Sequence, residues 1–363
     1  MVENAQAVDA GGRRRFPRWT GRTLVVRGLF LLVTAISIYV LLPSLLDVFT
    51  SWRSLLEVSP WWLVAAVGFV AASFVATWAL QRIAVGTRSW FAVGTSQLAG
   101  NALGRVVPGG MATAGALQYR MLVRCGVPGG RVASGVGASS ALLFGTLLVL
   151  PVLALPAILR GTPVDHALAT SAWLGTAAFV VLAGATALGF AFDAPLHFVG
   201  RVARAAGTKI PSLHDQVEDL PERLIVERDA IRAALGASWK TAVAASLGKW
   251  LFDYLALVAA LYTVGSRPHP SVILLAYVTA QLLGMIPLTP GGLGFVEAGL
   301  AGTLAVAGVG GSQALVATLA YRLVSFWLPI PAGLLAYGLF RRRYREAPAP
   351  DGQGLRPGSR PGA

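Results

Sequence analysis

Of the 363 residues, 55% are hydrophobic and only 13% charged, with a mean hydropathy of +0.65. A water-soluble domain carries about a quarter charged residues, so the composition excludes one. The formal charge of +14 does not point to nucleic acid, because the basic residues gather in the tails and in loops between apolar runs, as cytoplasmic flanks do.

Taken in order, residues 1–23 are polar and arginine-rich and read as a disordered cytoplasmic tail on anionic headgroups. A first span follows at 24–46; it is too long for a cleaved signal peptide and reads as a retained helix. Trp61 and Trp62 open a second span at about 62–80 as an interfacial anchor. From 91 to 125 the pattern changes. Phe91–Val107 is interrupted by Gln97, Asn101 and Arg105, then broken by Pro108-Gly109-Gly110, and a second short arm runs to Tyr119-Arg120 and Arg124. Proline breaks the helical ladder and glycine weakens it. Irregular backbone at membrane depth is tolerated only inside protein or beside a water-filled cavity, so a re-entrant helical hairpin is predicted. Spans follow at 132–158 and 168–192. Residues 194–238 form a polar stretch with an approximate helical stripe, read as amphipathic surface helices. Another span, 240–264, contains Lys249 and Asp253. Two short arms, 272–288 and 293–308, flank Pro290-Gly291-Gly292, with Glu297 about two turns beyond. The last span, 313–340, contains Arg322, and the Pro/Gly-rich end is predicted disordered.

The fold class predicted is therefore an all-α integral membrane protein. It has about six transmembrane helices plus two re-entrant hairpins; ten full crossings satisfy the same parity. The predicted domains are a tail of 1–23, one transmembrane unit of 24–343 and a tail of 344–363. The basic residues place both termini and the 194–238 loop in the cytoplasm: six arginines lie up to Arg27, seven Lys or Arg between 194 and 240, and six after Phe340.

The two Pro-Gly-Gly breaks lie 182 residues apart, and the same shift carries Gly126 onto Gly308, Gly129 onto Gly311 and the second span onto the Lys249 span. With the first hairpin entering from the cytoplasm and the second from outside, this is an inverted-topology repeat with halves of about 24–158 and 168–340. Secondary transporters build their sites where the broken helices of such repeats meet.

Two stretches carry a family resemblance. Gly104-Arg105-Val106-Val107-Pro108-Gly109-Gly110 with Tyr119-Arg120, and Pro290-Gly291-Gly292-Leu293-Gly294-Phe295-Val296-Glu297-Ala298 with Tyr321-Arg322 and Pro329, resemble the two signatures of the flippase-like family. That family includes the transmembrane flippase half of bacterial lysyl-phosphatidylglycerol synthases. The resemblance spans roughly 25–343 and implies a cell (inner) membrane protein moving a phospholipid or lipid-linked headgroup between leaflets. The chain departs from the family at Met111-Ala112-Thr113-Ala114-Gly115, where a Gly-Gly-Asp type run is common. No polar stretch is long enough for the soluble synthase domain, so aminoacyl transfer is not expected.

Charges inside a span cost roughly 2.5–3.5 kcal/mol on insertion scales and belong against a cavity or one another. The candidate lipid-binding set is Arg105, Pro108, Gly109, Gly110, Lys249, Asp253, Pro290, Gly291, Gly292, Glu297 and Arg322. Half-helix N-termini at Met111 and Leu293 add unsatisfied N–H groups, which favour a lipid phosphate. The same residues also fit a structural network of Glu297–Arg322 and Lys249–Asp253 pairs. Arg120 and Arg124 are assigned to headgroup anchoring. The four histidines lack ligand spacing, so neither metal nor cofactor is expected, and no nucleophile–base pair marks an enzyme. The expected partners are membrane lipids with an anionic headgroup or lipid phosphate. A non-transporting scaffold of a lipid pathway, or an enzyme acting on a lipid phosphate, is the alternative.

Overall fold

A computed structural model describes residues 60–107, 110–154, 236–284 and 294–344, with Gly292 and scattered positions between 177 and 233. The expectations for 1–59, for the span at 168–192, for most of 194–238 and for 345–363 lie outside these residues.

Among the described residues every regular element is helical. Helix α1 is Pro60–Val85, α2 Trp90–Val106, α3 Gly110–Arg124 and α4 Gly129–Val149, the last tightening into a 3₁₀ turn over Leu150–Ala154. After a gap come α5 (Trp239–Thr263), α6 (Pro270–Gly284), α7 (Phe295–Val306), α8 (Gly311–Arg322), a π-helical turn over Leu323–Trp327, and α9 (Pro329–Arg343). Four of these segments are long and apolar enough to cross a membrane: Pro60–Val85, Gly129–Leu153, Trp239–Thr263 and Gly311–Arg343. The arms around the two breaks are shorter, at 17 and 15 residues for α2 and α3 and 15 and 12 for α6 and α7. Each falls short of the roughly 20 residues of a crossing.

Local chemistry sets the ends. Ser89 caps α2, its Oγ accepting from the Ala92 N–H at 3.1 Å, a bond that replaces one missing at a helix start. Gly126 and Gly308, at φ +84° and +88°, end α3 and α7 in the left-handed region. In both turns the next residue's N–H reaches back five positions, Val127 to Leu122 and Val309 to Leu304. This is the glycine-terminated cap, which a Cβ disfavours.

α1 runs along α5, α2 pairs with α3 and α6 with α7; α4 lies against α1 and α8 against α5. α9 packs on α2, and the 3₁₀ turn after α4 packs on α6. Under the 182-residue shift, the α1–α4 and α2–α3 contacts fall on α5–α8 and α6–α7. The Trp62 ring meets Tyr262 edge-on at 4.8 Å, so the start of α1 lies beside the end of α5 and these two counterpart helices are antiparallel. The close approaches use glycine. A Cβ on Gly110 would collide with the Gly104 carbonyl, and one on Gly333 with the Leu98 carbonyl. The main apolar core joins α1, α4, α5, α6, α7 and α8 around Leu147, Leu257, Tyr277 and Leu300.

Candidate functional site

Polar side chains at four-residue spacing share one helix face. Five helices bring such faces together. α1 offers Ser73 and Thr77; α2 offers Gln97, Asn101 and Arg105; α5 offers Lys249 and Asp253. Gln281 of α6 and Tyr321, Arg322 and Ser325 at the α8–π junction complete the wall of a cavity of about 360 Å³. Both halves of the chain contribute. The sequence flagged Arg105, Lys249, Asp253 and Arg322 here. It marked Gln97 and Asn101 only as interruptions and did not assign Ser73, Thr77, Tyr277, Gln281, Ser325 or Phe326. The polar ones were signalled by four-residue spacing within apolar arms, as in Ser73/Thr77, Gln97/Asn101, Tyr277/Gln281 and Tyr321/Ser325; Phe326 carried no such signal.

The charges are arranged pairwise. Arg322 donates from Nε to Glu297 Oε1 at 2.6 Å, both side chains nearly buried. Glu297 does not itself line the cavity; its other oxygen, Oε2, accepts the Gly294 N–H at 2.7 Å and so caps α7. Lys249 Nζ donates to Asp253 Oδ2 at 3.3 Å. The same oxygen accepts from Tyr277 Oη at 2.8 Å and Gln281 Nε2 at 3.4 Å, and Gln281 also donates to Tyr321 Oη at 3.0 Å. Asp253 is thus held by three helix-borne donors.

Arg105 has a different kind of partner. It donates to the Ser325 carbonyl at 2.8 Å and to the Phe326 carbonyl, and its guanidinium lies 4.9 Å from the Phe326 ring centroid. Arg322 stacks over the same ring at 4.3 Å. Pro329 accounts for why this carbonyl is available. In an α-helix the Ser325 carbonyl would accept from residue 329, but Pro329 has no N–H. The chain widens into a π turn instead, closed by Leu328 N–H to Leu323 O at 2.9 Å, and Arg105 takes the orphaned carbonyl. Arg105 therefore carries the cavity's positive charge without a carboxylate partner among the described residues. Among the described residues, three cations against two carboxylates leave one positive charge in excess. Asn101 Oδ1 is buried here with no hydrogen-bond partner among the described residues.

The remaining candidates divide. Gly110 begins α3 and Gly292 sits at φ +70° against Gly284 and Val296; Pro108, Gly109, Pro290 and Gly291 lie outside the described residues. The α3 and α7 starts, at Gly110 and Phe295, fall one residue before and two after the N-termini expected at Met111 and Leu293. Arg120 and Arg124 are exposed at the far end of α3, away from the cavity. Among the described residues no cluster of His, Cys, Asp and Glu could hold a metal ion.

The family described as "Lysylphosphatidylglycerol synthase TM region" matches residues 29–333. The chain belongs to this family. It is a membrane protein with a flippase-like domain, and the matched stretch corresponds to the transmembrane part of the synthases rather than to their catalytic part. Two similar proteins, each called "UPF0104 membrane protein", come from Methanothermobacter thermautotrophicus (strain Delta H). One is 34% identical over 91 residues, 25% of this chain and 26% of the relative. The other is 28% identical over 135 residues, 35% of this chain and 40% of the relative. The aligned stretches span less than half of either relative's length.

Proposed function

We propose that this family member moves an anionic lipid, a phospholipid or a lipid-linked headgroup, between the leaflets of the cell membrane by alternating access. The observation that carries the reading is the cavity itself: a partly open cavity between helices from both ends of the chain, lined by polar and apolar side chains alike, whose charges among the described residues leave one positive charge in excess. Such a chamber complements a phosphodiester, which bears a single negative charge, and the unpartnered Asn101 Oδ1 suits a hydroxyl or ammonium donor on the headgroup. The antiparallel α1–α5 pair, the short arms and the reciprocal packing support an inverted repeat with two re-entrant hairpins. Rocking of one half on the other opens the cavity to each side in turn. In this reading Arg105 binds phosphate, the Lys249–Asp253 and Arg322–Glu297 pairs shape the chamber, and both termini are cytoplasmic.

The test is transbilayer movement of headgroup-labelled lipids by the full chain in proteoliposomes. Arg105→Gln, checked for folding by its elution profile and melting temperature, is expected to slow an anionic lipid by at least ~10-fold, the size of a lost hydrogen bond to a charged group. Movement unchanged in folded Arg105→Gln and Lys249→Gln proteins overturns the site. No movement of any lipid by the wild-type protein favours the scaffold reading.

A further inference from the structure

A second cavity, of about 400 Å³, lies between the last turns of α3 and α9. Its rim carries Arg120 and Arg124 from one helix and Arg341 from the other, residues more than two hundred positions apart in sequence. No described carboxylate pairs with any of the three. The contrast with the central chamber is clear, since there Lys249 and Arg322 each have a carboxylate. The floor is apolar, formed by the buried Met121 and Phe340 of one small core cluster. On α9 the cavity is followed by exposed apolar surface: Leu334, Tyr337 and Arg341 stand at three- and four-residue steps on one helix face, with Leu334 67% and Tyr337 38% exposed. A basic rim, an amphipathic ring and an exposed leucine thus succeed one another along one direction, as headgroup, interface and acyl chain do in a leaflet.

We propose that this cavity holds one anionic phospholipid, its phosphate between Arg120, Arg124 and Arg341 and its acyl chains along the Leu334–Tyr337 face of α9. The bound lipid joins the end of the first broken pair to the end of the last helix. It is a site apart from the transport chamber and does not depend on the transport reading. Arginine suits the role because its planar fork takes two phosphate oxygens at once.

The test counts lipids retained by the delipidated full-length protein in detergent, by native mass spectrometry, on titration with phosphatidylglycerol or phosphatidylcholine. Wild type is expected to keep one tightly held phosphatidylglycerol and no equivalent phosphatidylcholine. Arg120→Gln, Arg124→Gln and Arg341→Gln combined should weaken it on the order of 100-fold, at roughly fivefold per arginine. Arg341→Gln alone, expected at about fivefold, serves if the triple variant does not fold. A comparison variant with Arg88, Arg131 and Arg342 changed to Gln, all exposed and outside the cavity, should retain the lipid. Equal loss in that variant, equal retention of phosphatidylcholine, or undiminished binding in Arg341→Gln overturns the proposal. Displacement by water-soluble glycerol 3-phosphate at matching concentration also overturns it, by assigning the rim to a free anion.

Discussion

Glu297 does two jobs with its two oxygens, pairing with Arg322 and capping α7 through the Gly294 N–H. Removing one member of a buried ion pair leaves the other charge uncompensated, at about 3–5 kcal/mol. Glu297→Ala is therefore expected to destabilise the folded protein by about that much, and Glu297→Gln by less, since its side-chain oxygen still accepts from Gly294. Adding Arg322→Met to Glu297→Ala should recover part of the loss, because the stranded charge is gone. A double-mutant cycle of melting or denaturant unfolding in detergent measures the coupling; additive losses would show that the pair contributes nothing. Asp253, with three donors on one oxygen, should respond differently. Its network spans two helices, so no single partner carries it.

At the scale of the elements, the π turn is the feature that ties α2 to the α8–α9 segment at the cavity. Pro329 orphans the Ser325 carbonyl and Arg105 of α2 fills the vacancy. Pro329→Ala restores a competing N–H donor at the helix's own four-residue spacing. The expected outcome is that Arg105→Gln costs less stability in the Pro329→Ala background than in the wild type, by about 1 kcal/mol, the net worth of one such bond. Unfolding of the four proteins of that cycle checks it, and equal costs in both backgrounds would mean that the carbonyl does not depend on the proline. The glycine caps at Gly126 and Gly308 act at the same scale. They turn the chain sharply at the ends of two counterpart helices, so each short arm is followed at once by a long one.

At the scale of the whole molecule, most basic residues outside the cavity gather at one end among the described residues. Arg88, Arg120, Arg124, Arg131 and Arg341 to Arg343 lie at the turns joining α1 to α2 and α3 to α4 and at the end of α9, while Arg267 and His269 mark the opposite turn. In a Cys125→Ser background, a cysteine placed at His269 is expected to react with an impermeant maleimide added outside intact cells, and one at Arg88 only after lysis. The reverse pattern would invert the topology. Cys125 itself is half-buried; burial pushes its thiol above the ordinary range, offset in part by its bond with Tyr344 and by Arg343. A raised value keeps the thiol protonated, hence unreactive. In lysed membranes at neutral pH, Cys125 should label more slowly than the Arg88→Cys site, and the gap should close as pH rises.

The breaks, the helix ends and the pairing of Lys249 with Asp253 were legible in the sequence because each rests on chemistry within a few residues: proline without an N–H, glycine at positive φ, charges one turn apart. The 182-residue offset repeats those same local signals. The Glu297–Arg322 pair was reached only as one of two uses of the same charges. What Arg105 binds was not legible at all. Its partners are backbone carbonyls some 220 residues away, and a carbonyl leaves no mark in composition. The same holds for Arg341 beside Arg120 and Arg124. Sequence alone determined which residues are costly to bury and where the helices break. Tertiary structure alone decided which charges neutralise one another and which are left over, because that depends on faces of distant helices meeting at fixed rotation.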